Sequence, residues 1–72
     1  PYLMEGLAKL HDLLGPDKFK KYISSVHNIN KSGRAIMLIA DNELHRTNIE
    51  RDCVAAIMEA FEVDNVRVVA MG

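Results

Sequence analysis

The residues able to do chemistry in this chain are few and scattered. His11, His27 and His45 sit in three different segments, and Cys53 is the single cysteine. Cys53 and His45 fall on one predicted helix eight residues apart, more than two turns, which is too far for one metal ion. No zinc-type spacing is completed, and no metal site is expected. Ser24 and Ser25 stand close to His27, but a nucleophile needs a base held by geometry and an orienting carboxylate, which sequence proximity does not supply. Helix-end serines facing solvent account for them. The glycines are Gly6, Gly15, Gly33 and Gly72, so there is neither a Gly-rich phosphate loop nor the Gly-x-x-Gly clamp of some nucleic-acid binders. No catalytic, cofactor-binding or metal-binding set emerges, and the chain does not read as an enzyme.

Function must then reside in exposed side chains on rigid elements. The candidates are Lys18, Lys20 and Lys21 on a second helix, and Glu43, Leu44, His45 and Thr47 at the start of a third. Leu44 is the most informative of these. It lies in a polar opening turn between Glu43 and His45-Arg46, ahead of the main apolar stripe, where it either plugs the end of the core or is presented to a partner.

The elements that position these residues are organised around Arg34 to Phe61. Ala35, Met37 and Ile39 point to one side of a strand and Ile36, Leu38 and Ala40 to the other, so neither side reads as solvated and the strand belongs mid-sheet. Asp41 and Asn42 then offer side-chain oxygens to the free N–H groups of a helix start, and Glu43 puts negative charge in its first turn. One long amphipathic helix is predicted, with Ile49, Cys53, Ala56, Ile57 and Ala60 inward and Arg46, Glu50, Arg51, Asp52 and Glu59 toward water.

Upstream, Leu3, Leu7, Leu10 and Leu14 form one stripe of a first helix over residues 2 to 14, in which Gly6 costs up to about 1 kcal/mol relative to Ala. Gly15 stops it, and Pro16 opens a second helix to about Ser25. Phe19, Tyr22 and Ile23 face inward there. A mixed-polarity edge strand from Val26 to Asn30 and a turn at Lys31-Ser32-Gly33 form a hairpin with the central strand. Val66 to Ala70 is a last β-branched strand, placed parallel to the central one by the intervening helix. The order is α-α-β-β-α-β, an α+β fold with helices covering one face of a three-stranded sheet.

At 72 residues, 49% hydrophobic and 26% charged, this is one globular domain covering residues 1 to 72, of a size that buries only roughly 60% of its unfolded surface. No apolar run approaches the ~20 residues of a membrane span, so no membrane partner is expected. One cysteine gives no disulfide framework and suits a reducing compartment, with the cytoplasm expected. The chain begins at Pro1, as expected of a piece of a longer protein or one with a trimmed start, and its beginning does not resemble a signal peptide. The net charge is −1, unevenly spread. Residues 17 to 34 hold five Lys or Arg against one Asp, a balance of +4, and residues 41 to 64 hold seven acids against two Arg, a balance of −5. These blocks read as two solvated faces, or as a means of steering partners or self-association.

Taken in order, Leu7, Leu10 and Leu14, then Phe19-Lys20-Lys21-Tyr22-Ile23, the hairpin, Leu38-Ile39-Ala40-Asp41-Asn42, the helix with Ile49 and Ile57, and Val66 to Val69 resemble domain I, the N-terminal domain, of the bacterial replication initiator DnaA. The match covers nearly the whole chain, and its specificity lies in the order and spacing of motifs that are individually weak. The resemblance implies a KH-like module that self-associates, helps recruit the replicative helicase and docks initiation regulators. By position, Lys18 and Leu44 correspond to the helicase-contact region and Leu3 to the self-association region. The sequence departs from the family pattern where Leu3 and Tyr22 stand for Trp, Asp41 for Pro and Leu44 for Phe. Asn48 replaces a commonly aromatic residue, and Lys18 an often acidic one. The C-terminal domain of the tau subunit of bacterial DNA polymerase III is similar too, through its polar helix start and terminal Val-Arg-Val strand. A different expectation is weak binding of single-stranded DNA by Lys18, Lys20, Lys21, Lys31 and Arg34, whose phosphate contacts would be salt-sensitive.

Overall fold

In a computed structural model, which describes residues 2–71, a helix-rich first half leads into a hairpin and then a parallel crossover. The elements are α1 (Tyr2–Leu14), α2 (Pro16–Ile23), β1 (Val26–Ser32), β2 (Ala35–Ala40), α3 (Glu43–Asp52), α4 (Val54–Phe61) and β3 (Asn65–Ala70). The sheet order is β1-β2-β3, with β1 antiparallel and β3 parallel to the central β2. This is the mixed α+β arrangement the apolar patterning predicts. Among the described residues, no helix is long and apolar enough to cross a membrane.

Gly15 joins the first two helices at φ 84°, a left-handed conformation that glycine adopts without a Cβ penalty. Its N–H donates to the His11 carbonyl and its own carbonyl accepts from Phe19, so one residue closes α1 and opens α2. β1 runs two residues further than expected, leaving Gly33 and Arg34 as a two-residue hairpin loop. Gly33 holds φ 60° at its first central position, where such loops favour glycine.

The predicted single helix over residues 43 to 61 is two helices, bent at Cys53 (φ −118°, ψ −12°). Ile49, Cys53, Ile57 and Phe61 are spaced by four, and on a straight helix each such step drifts by about 40° around the axis. The bend returns α4 to the core, and all four side chains are buried. Backbone bonds span the junction from Cys53 N–H to the Ile49 carbonyl (2.8 Å) and from Ile57 N–H to the Cys53 carbonyl (2.9 Å).

All the helices pack on one side of the sheet. Ile36, Leu38 and Ala40 of β2 point into the core with Leu10, Tyr22, Val68 and the buried residues of α3 and α4. Val26 and Ile29 both reach this side, although three residues apart, because a bulge at His27 shifts the register between Val26 and Asn28. Ala35, Met37 and Ile39 point the other way and are only half-buried. The expectation that neither side of β2 is solvated is thus met on one side only.

Candidate functional site

The outer surface of α3 begins at a well-fixed helix start. The Asn42 side chain accepts from His45 N–H (3.0 Å), and the Asn42 carbonyl accepts from Arg46 N–H (3.0 Å). Arg46 donates to the Glu43 carboxylate one turn before it and to Glu50 one turn after it (3.1 Å). The Glu43 carboxyl is held below the usual range by its bonds from Arg46. On this scaffold Leu44 is 67% exposed. It is presented to solvent and does not close the end of the core. Glu43 and Thr47 are also exposed, whereas His45 is half-buried.

α2 supplies the second half of the surface. Lys18, Lys20 and Lys21 are exposed, and Lys21 Nζ lies 5.2 Å from the Tyr22 ring centre. The buried Tyr22 side chain donates its hydroxyl to Asp52 Oδ2 at the end of α3. Arg51 grips the same carboxylate through Nε (2.9 Å) and Nη2 (3.0 Å). Bonds first from Arg51 and then from Tyr22 lower the Asp52 carboxyl to about 2. Sequence periodicity assigns Asp52 to water and Tyr22 to the core; their partnership across the two helices is not signalled by either position.

The structure places Leu44 and Thr47 near the start of α3 and Lys21 of α2 beside Tyr22, whose hydroxyl meets Asp52 at the other end of α3. Leu44, Thr47, Asn48 and Arg51 share a helix face at spacings of three and four, and Arg51 reaches the Asp52 carboxylate that anchors α2. Along α3 (Glu43–Asp52), the rise from Leu44 to Asp52 separates Leu44 from the Tyr22–Asp52 contact by about 12 Å. Leu3 lies elsewhere. It is half-buried and lines a groove with Leu7, Ile23, Val26 and Ile29, between α1 and β1.

The basic segment from 17 to 34 is not one patch. Arg34 is engaged by Asp64 (2.9 Å) and Lys31 donates to the Gly33 carbonyl (2.9 Å), and β1, about 20 Å long, separates both from the end of α2. The titratable candidates also stay apart. His11 packs edge-on against Phe19 with ring centres 5.0 Å apart, and His27 lies on β1. Cys53 is buried, which pushes its thiol up to about 11. Among the described residues, no three His, Cys, Asp or Glu side chains gather as they would around a metal.

The fold is that of a small α+β domain with exposed side chains on α2 and α3. Comparisons with protein-family models, with curated proteins and with solved structures find no match to this chain.

Proposed function

We propose that this domain is a non-catalytic protein-interaction module of bacterial replication initiation, docking the replicative helicase or an initiation regulator through α2 and the outer face of α3. The observation that carries the reading is Leu44, a large apolar side chain held in water by a capped and ion-paired helix turn. Exposed apolar side chains on rigid supports are what partner pockets bury. The order of elements, and the motifs that resemble the initiator's N-terminal domain, support the choice of pathway. Lys18, Lys20 and Lys21 call for an acidic partner surface beside the pocket that takes Leu44.

Titration of the domain with the cognate helicase tests this. Leu44→Ala is expected to weaken binding by at least ~10-fold, as is the charge reversal Lys18→Glu, Lys20→Glu, Lys21→Glu, with the fold intact in both. No binding by the parent domain to helicase or regulators, or unchanged binding by both variants, refutes the reading. The three lysines make no ion pair with an in-chain carboxylate among the described residues, which also favours a second reading, weak contact with DNA phosphates. That reading demands single-stranded DNA binding that falls steeply as salt rises.

A further inference from the structure

The two open edges of the sheet are built differently. Alternation along β1 turns the main-chain groups of Ile29 and Lys31 outward, and this edge is blunted. The bulge at His27 breaks its line, the Asn28 side chain accepts the outward Ile29 N–H (2.9 Å), and Lys31 adds charge. β3 has no such guard. Its register with β2 is unbroken over Asn65–Ala70, and it holds neither proline nor lysine. Asn65 N–H donates to the Arg34 carbonyl (3.2 Å) and Met71 N–H to the Ala40 carbonyl (2.9 Å), so the odd-numbered residues of this strand bond toward β2. The N–H and C=O groups of Val66, Val68 and Ala70 therefore point outward, where no backbone group among the described residues bonds them.

We propose that this edge takes an extended acidic segment of another protein as a fourth strand. Strand addition satisfies exposed main-chain groups with the partner's own, and alternate side chains supply the selectivity. On β3, Val66 and Val68 turn their side chains into the core beneath α3 and α4, while Arg67 stands exposed on the opposite side of the sheet. Arg67 makes no ion pair among the described residues. Neighbouring strands lie about 4.8 Å apart, so the residue opposite Arg67 on an added strand is within reach of the guanidinium. A carboxylate there is held, and a lysine or arginine is repelled. The residues on either side of that carboxylate fall alongside Val66 and Val68 and are apolar. The recognised pattern is therefore apolar, acidic, apolar. A second copy of β3 does not supply it, because Asn65–Ala70 contains no carboxylate and brings another Arg67. The proposal is independent of the helicase reading, which uses Leu44 and the lysines of α2.

Titration of the chain with a synthetic peptide of alternating valine and glutamate, about eight residues long, tests this, read by NMR amide shifts and hydrogen exchange. Binding in the micromolar to millimolar range is expected, with exchange protection gained at Val66, Val68 and Ala70 and none at Ile29 or Leu44. The same peptide with lysine in place of glutamate is expected not to bind. Arg67→Glu, an exposed change whose fold the amide spectrum confirms, is expected to weaken the glutamate peptide at least ~10-fold and to admit the lysine peptide. No binding at millimolar peptide, shifts centred on β1 or on α2 and α3, or a peptide preference unchanged by Arg67→Glu overturns the proposal. So does protection at Val66, Val68 and Ala70 that rises with the concentration of the chain alone, which would make a second copy the occupant.

Discussion

Gly6 of α1 lies against the ring of Phe61 at the end of α4, so closely that a Cβ built on Gly6 comes within 2.3 Å of two ring carbons. The glycine that weakens α1 by its propensity is thus the residue that lets the two helices meet. Gly6→Ala gains up to about 1 kcal/mol in helix propensity but must displace a buried ring, an overpacking cost of about 1–3 kcal/mol. A net loss of stability is expected, read as a lower thermal midpoint. Stabilisation by this substitution would show that α1 and α4 are not in close contact.

Tyr22 and Asp52 lie thirty residues apart and tie α2 to the bend between α3 and α4. Tyr22→Phe removes the tie while keeping the ring, and is expected to cost about 1 kcal/mol, the usual net value of one hydrogen bond. The effect has a pH signature. Asp52 titrates lower in the folded protein, about 2 against an ordinary 3.8, so its contribution is fully present above about pH 4 and is lost as pH falls toward about 2. The stability difference between parent and Asp52→Asn is expected to shrink across that window in denaturant titrations. A difference that stays constant from neutral pH to pH 2 argues against the bonded carboxylate.

Asn42 fixes the turn that presents Leu44. Asn42→Ala loses the side-chain acceptor for His45 N–H, and is expected to lower stability by about 1 kcal/mol. Amide exchange is expected to rise first at Leu44 and His45. Leu44→Ala, by contrast, removes an exposed side chain and is expected to stay within about 0.5 kcal/mol of the parent. Equal stability losses for the two would mean that Leu44 is packed and not presented.

Much of this architecture is legible in the residues. The two-sided apolar run of β2, the Gly15-Pro16 corner, the glycine of the hairpin and the capping Asn42 each carry a local physical signal, and each lies where that signal places it. What is hidden is tertiary. The bulge at His27 rephases β1 so that Val26 and Ile29 share a side, which a period of two cannot reveal. The bend at Cys53 has no Pro or Gly to mark it, and α4 ends on Glu62 in the left-handed region at φ 56°, a place where sequence reasoning looks for glycine. Of the candidate surface, the lysines are readable as exposed positions, whereas the sequence leaves Leu44 open between plugging the core and facing solvent, and only the packing decides for solvent. The tie through Asp52 depends on two helices docking, and the openness of the far side of the sheet depends on where every helix goes.

β2 pairs with β1 across the two-residue loop at Gly33-Arg34, yet reaches β3 only after both α3 and α4 have been laid down. Closing the first pairing costs little loop entropy and closing the second costs more, so the two sides of the same strand are expected to be completed at different moments in folding. In stopped-flow experiments, substitutions that weaken the hairpin, such as Gly33→Val, are therefore expected chiefly to slow folding. Val68→Ala in β3 is expected chiefly to hasten unfolding. On that expectation the last strand is a late fastening, and the hairpin is the template on which the domain begins.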